Sequence, residues 1–143
     1  MNSLNFDTGY KEYAINGDES KVIRISTTDI ALYDRTKKAM KNIERLSEDY
    51  RKAEVKTSDH ANDLFVKADR DIKEQINSIF GYDVSSVVFG ISNCMSVTES
   101  GYMLFENFLN VVIPVIEKDI QNAMNKQNKR VKKYTSQVPK VEK

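Results

Sequence analysis

Two prolines and five glycines in 143 residues leave the chain few places at which to break or turn. That scarcity favours long helices over a fold of many short strands, each needing its own turn. The apolar pattern agrees. Ile30, Tyr33, Met40, Ile43 and Tyr50 recur at helical spacing, as do Leu32, Ala39, Leu46 and Ala53. Two such stripes make one wide apolar face. With Thr27, Thr28 and Asp29 as N-caps, the spacing predicts a helix from about Asp29 to about Lys52. A second helix is predicted after Thr57, Ser58 and Asp59. Its apolar side carries Leu64, Phe65, Ala68, Ile72, Ile76, Ile79 and Phe80, and Gly81 ends it. Residues 54–58 mark the break weakly, so one helix over 29–80 is the alternative. Asp83 caps a short helix, Val84 to Phe89, closed by Gly90.

Ser96 and Glu99 have capping-box spacing, which places the start of the most apolar helix near Val97. Tyr102, Phe105, Leu109, Val112, Ile116, Ile120 and Ala123 recur every three or four residues along it, and Phe108, Ile113 and Met124 widen the stripe. Pro114 is expected to bend this helix, because it lacks an N–H and its ring crowds the carbonyl of Asn110. Past Met124 the apolar pattern thins into a solvated tail.

The N-terminus follows a different period. Tyr10–Ile15 and Lys21–Ser26 alternate polar and apolar side chains around Asn16-Gly17-Asp18, and Asn-Gly is a strong hairpin signal. An isolated hairpin is marginal in water, so this one must pack on the helices or pair with another chain. The fold class is therefore mainly α: a helical bundle with a short N-terminal β-hairpin. One domain over 1–124 precedes a basic tail over 125–143. A chain of this length buries roughly 70% of its unfolded surface, enough for a core with no disulfide or metal.

Candidate chemistry is sparse. His60, the single histidine, lies among Ser58, Asp59, Asn62 and Asp63 at a helix start, where the acids answer the helix dipole. It has no second histidine for a metal and no partnered base arrangement. Cys94 has no neighbouring Lys, Arg or His to lower its pKa, so it reads as a buried apolar plug. As a lone cysteine it forms no internal disulfide and points to a reducing compartment. The acidic pairs Asp69/Asp71 and Glu48/Asp49 do not face one another on a helix and read as solvated surface. No phosphate-binding loop, dinucleotide glycine pattern, zinc spacing or serine-nucleophile elbow occurs. The expectation is a non-enzyme with no cofactor. The first residues lack the basic and apolar regions of a secretory signal. Glu106, Asn107, Asn110 and Pro114 interrupt the longest apolar segment, so no membrane span is expected.

Charge is lopsided. From Asn125 onward there are seven Lys/Arg and a single acid, Glu142. That segment carries +6, leaving −5 for residues 1–124 of a chain with net charge +1. The tail reads as a solvated end or as a dock for an acidic protein surface. Nucleic acid is disfavoured, because Tyr134 alone is available to stack bases.

The order of parts resembles a known family. The hairpin YAINGDESKVIRI leads into the charged helix TDIALYDRTKKAMKNIERL. A second helix ends KEQINSIFG, and a VSSVVFG segment follows. The apolar helix TESGYMLFENFLNVVIPVIEKDI and the basic end NKQNKRVKK close the chain. This layout, with its IFG…VFG pair, is similar to that of the small tail assembly chaperone-like proteins of phages and prophages of Gram-positive bacteria. The resemblance covers about residues 10–133. It implies a cytoplasmic chaperone in the bacterial host that binds apolar helices of the tape measure protein and recruits tail tube protein. A small phage regulatory or anti-defence protein that inhibits a host factor is the competing expectation.

Two surfaces are candidates for partners. One is the apolar stripe of Tyr102, Phe105, Phe108, Leu109, Val112, Ile113, Ile116 and Ile120, whose surplus over core needs would form a partner groove or a homo-oligomer seam. The other is the basic run containing Lys129, Arg130, Lys132 and Lys133.

Overall fold

Asn16 and Gly17 decide where the chain first reverses. Their φ values of 51° and 76° are the pair of left-handed conformations that a two-residue type I′ hairpin turn requires. In the computed structural model, which describes the backbone of residues 1–137 and the side chains of residues 1–131, this turn joins β1 (Tyr10–Ile15) to β2 (Asp18–Ser26). Tyr10 pairs with Ser26 and Ala14 with Val22, and the register shifts between Ala14 and Ile15. β2 begins before Lys21, because the two-residue turn pairs Ile15 with Asp18; its turn end is exposed on both faces and shows no alternation. Further along, Ile23 and Ile25 are buried while Arg24 faces out, as the two-residue strand period dictates.

Two separate helices follow, α1 (Ala31–Lys52) and α2 (Ser58–Phe80). The single-helix alternative fails at Ala53 and Thr57, both of which adopt extended backbone. The Thr57 hydroxyl accepts a hydrogen bond from His60 N at 3.0 Å and starts α2. At the head of α1, Asp29 accepts from Ala31 N (3.0 Å) and from Arg35 (2.9 Å). Arg35 also donates to the Ile79 carbonyl, tying the start of α1 to the end of α2. Gly81, at φ 81°, terminates α2. Asp83 then caps α3 (Val84–Phe89) by accepting from Ser86 N.

α4 (Leu104–Gln137) departs from the predicted span of about Val97–Met124 at both ends. Ser96 and Glu99 do not form a capping box. Ser100-Gly101 supplies a turn instead, with Gly101 at φ 85°, and the chain doubles back so that Val97 bridges Met103. Thr98 N and Oγ1 both donate to the Tyr102 carbonyl, at 2.9 and 2.7 Å. The capping role passes to Glu106, whose carboxylate accepts from Met103 N at 3.2 Å. Leu104 N and Phe105 N donate to the Ser96 and Cys94 carbonyls (2.9 and 2.8 Å), so the loop satisfies the orphan donors of the first turn.

The far end of α4 corrects the expected tail. Residues 125–137 hold no Gly or Pro and are rich in Lys, Gln and Arg, which are good helix formers. The helix therefore propagates about thirteen residues past Met124 at its ordinary rise instead of dissolving there. It also runs on through Pro114, which faces solvent. Residues 138–143 lie outside the described ones.

The core draws on every element. Ile23 and Ile25 of the hairpin meet Leu32 and Ile43 of α1, Ile72, Ile76 and Ile79 of α2, Val84 and Phe89 of α3, and Ile116 of α4. Burying each such side chain contributes roughly 1.5–3 kcal/mol. The architecture is mainly α with a two-stranded N-terminal hairpin. No helix among the described residues is long and apolar enough to cross a membrane.

Candidate protein-binding surfaces

Most of the α4 stripe faces inward. Phe105, Leu109, Val112, Ile116 and Ile120 are between 1% and 8% exposed, so they belong to the core, and Val112 also lines a groove beside the hairpin. Phe108 and Ile113 are half-buried. The Phe108 ring lies 5.8 Å from that of Phe89, edge-on, and 6.3 Å from that of Phe80. Tyr102 is exposed, but it precedes the helix and is not on its stripe. Lys129 and Arg130 are exposed on the last part of α4. Lys132 and Lys133 continue that helix, and their side chains lie outside the described residues.

What α4 leaves open is a groove between itself and the hairpin. Its volume is ≈ 330 Å³, and its wall is largely apolar. Tyr13, Ala14 and Ile15 of β1 form one side. Leu104, Phe108, Val111 and Val115 of α4 form the other, over a floor of Ile23, Ile25, Phe89 and Val112. Val111 is 70% exposed at the rim.

One buried carboxylate holds the groove together. Asp119 is 6% exposed. It accepts from Lys11 Nζ at 3.0 Å and from the Tyr13 hydroxyl at 2.5 Å. A buried charge is tolerated only when paired and hydrogen-bonded in this way. Lys11 and Tyr13 share one face of β1, so a single α4 residue clamps the strand. Burial, together with the hydrogen bond to Asp119, pushes the Tyr13 phenol up to about 12. On β2, Arg24 N donates to the Tyr82 hydroxyl at 2.7 Å, and the Arg24 guanidinium sits 5.6 Å from the Tyr10 ring and 5.9 Å from that of Tyr82. Sequence reasoning passed over Asp119. The available signal was an acid three residues past Ile116, on the apolar stripe itself.

A larger, more polar depression of ≈ 810 Å³ opens between the end of α1 and the start of α4, lined by Met40, Tyr50, Met95 and Met103 beside Glu44, Glu48, Arg51 and Glu106.

His60 is exposed at the start of α2. Cys94 is fully buried, and burial pushes its thiol up to about 12, with Asp69 adding to the shift. Asp69 corrects the reading of solvated surface. It is largely buried, accepts from Cys94 N at 2.7 Å and pairs with Lys73 at 3.1 Å, while Lys73 also donates to the Ser92 carbonyl. These bonds lash the 92–94 loop to α2. Among the described residues, no group of three or more His, Cys, Asp or Glu is placed to hold a metal ion.

Comparison with known protein families, with curated proteins and with solved structures finds no match to this chain.

Proposed function

We propose that this chain is a non-enzymatic, protein-binding chaperone of phage tail assembly, acting in the bacterial host cytoplasm. It holds an apolar helix of the tape measure protein in the groove between β1 and α4 and recruits tail tube subunits. The observation that carries this reading is the groove itself, apolar on both walls, open to solvent at Val111 and braced by the Asp119 clamp. A groove of this kind suits an amphipathic helix, whose anchors at i, i+3, i+4 and i+7 enter as a row. The partner named here rests on the resemblance of the order of elements in the sequence to that of tail assembly chaperone-like proteins.

Co-expression with the tape measure protein of the same gene cluster tests the reading. The expected result is a soluble complex that co-purifies, with Val111→Asp weakening it at least about tenfold, or about 1.4 kcal/mol. Val111 is exposed, so the fold tolerates that change. An insoluble tape measure protein and no complex would overturn the proposal.

A further inference from the structure

The hydrogen bonds of the hairpin show which way each β1 residue points its backbone. Thr27 N donates to the Gly9 carbonyl at 3.2 Å, and Lys11 pairs with Ile25 and Tyr13 with Ile23 in the same register. Arg24 N turns the other way, to the Tyr82 hydroxyl at 2.7 Å. Antiparallel pairs alternate between those that exchange backbone hydrogen bonds and those that do not. Gly9, Lys11 and Tyr13 therefore bond toward β2, and the N–H and C=O groups of Tyr10, Glu12 and Ala14 project from the opposite edge of β1. The sheet holds β1 and β2 alone, so no strand among the described residues covers that edge. Ala14 lines the β1–α4 groove, which opens the edge onto the apolar row of Leu104, Phe108, Val111 and Val115.

A row of unpaired donors and acceptors beside an apolar wall specifies its occupant. An extended segment completes the ladder with its backbone and sends alternate side chains into the groove. A helix fills such a groove but leaves the edge unpaired, because its backbone groups bond within itself.

The chain carries a segment of the required kind. Ahead of β1, Leu4 and Phe6 sit two residues apart, flanked by Ser3, Asn5 and Asp7, the alternation of a strand that is apolar on one face. Leu4 is 91% and Phe6 76% exposed, so neither fills the groove of its own copy. Same-face neighbours on a strand lie about 6.6 Å apart, close to the roughly 6 Å that separates Val111 from Val115 along α4.

We infer that the arm of residues 1–8 pairs with the free edge of β1 in a second copy and seats Leu4 and Phe6 in that copy's β1–α4 groove. Two copies exchange arms reciprocally about a two-fold axis, so the assembly closes at a dimer. The inference rests on the edge, the groove and the arm, not on the tape measure reading; a tape measure helix that takes the groove displaces the arm.

The test uses the full chain with no other protein present. Sedimentation velocity over a concentration series is expected to show a monomer–dimer equilibrium. Leu4→Asp with Phe6→Asp, and separately Val111→Asp at the groove rim, are each expected to weaken the dimer at least about tenfold; all three side chains are exposed. Hydrogen exchange at the Glu12 and Ala14 amides is expected to be at least about tenfold slower in the dimer than in the Leu4→Asp, Phe6→Asp chain, because the added strand protects them. A chain that stays monomeric with fast exchange at those amides would overturn the inference, as would a dimer indifferent to either change. Protected amides in a monomer would mean that the arm closes on its own edge, and a dimer with unprotected amides that the arm docks elsewhere; each contradicts the exchange. The arm variant leaves the groove intact, so its co-expression with the tape measure protein tests the earlier proposal separately.

Discussion

From Phe105 to Ile120 one face of α4 lies against the hairpin and the other helices; at Met124 and Val131 the same face of the same helix is exposed. The first stretch is fixed by packing. The second persists on backbone hydrogen bonds and on the helix propensity of Lys, Gln and Arg. What separates them is the reach of the neighbouring elements, not any change in the helix. Periodicity says which side of a helix is apolar; only tertiary structure says whether anything covers it.

The largest effect that tests this contrast is on stability. Ile116→Ala removes a side chain that is 1% exposed and is expected to lower unfolding free energy by about 2–5 kcal/mol. Val131→Ala on the open stretch is expected to stay within about 0.5 kcal/mol. Urea denaturation of the two variants reads both numbers, and equal losses would erase the distinction.

Next in size is the clamp that holds β1 on α4. Asp119→Ala leaves the Tyr13 hydroxyl and Lys11 without their acceptor and is expected to cost about 1–3 kcal/mol. Tyr13→Phe keeps the ring and loses one hydrogen bond, so its cost should be nearer about 1 kcal/mol. If Asp119→Ala proves neutral, the hairpin is held by apolar contact alone.

A third effect appears at alkaline pH. The folded chain keeps the Cys94 thiol protonated up to about 12, from an ordinary 9.0, and the Tyr13 phenol up to about 12, from 10.0. Between those values the unfolded chain binds fewer protons than the folded one, so stability falls as pH rises. The contribution is complete below pH 9.0 and is lost on the way to about 12. Cys94→Ala should flatten the decline from its lower end and Tyr13→Phe from about pH 10 upward, each followed as melting temperature against pH. The same burial makes Cys94 slow to alkylate near neutral pH until denaturant is added. The smallest effect is expected from Lys129→Glu, an exposed change that should leave urea stability within about 0.5 kcal/mol.

Much of the fold was legible because its signals are local. Asn16-Gly17 placed the hairpin, Thr57 and Asp83 placed two helix starts, and Gly81 and Gly90 placed two ends. Ser96–Glu99 misled because two local signals compete there. A capping box needs a helix to follow at once, and Ser100-Gly101 offers a tight reversal first. The end of α4 is not legible in apolar periodicity, which thins past Met124, because a solvated helix needs only good helix formers and no breaker. The site was least legible. The stripe of Phe105 to Ile120 is apolar in sequence whether it meets core or partner, and the groove exists only because β1 lies beside α4. Asp119 and Asp69 are ordinary acids on a helix until the distant Tyr13, Lys11 and Cys94 are brought against them.

Hydrogen exchange along α4 tests the central contrast most directly, because amide protection reports local opening. The expected result is slow exchange over residues 105–119 and fast exchange over 124–131. Uniform protection along the helix would contradict the division of α4 into a covered half and an exposed half.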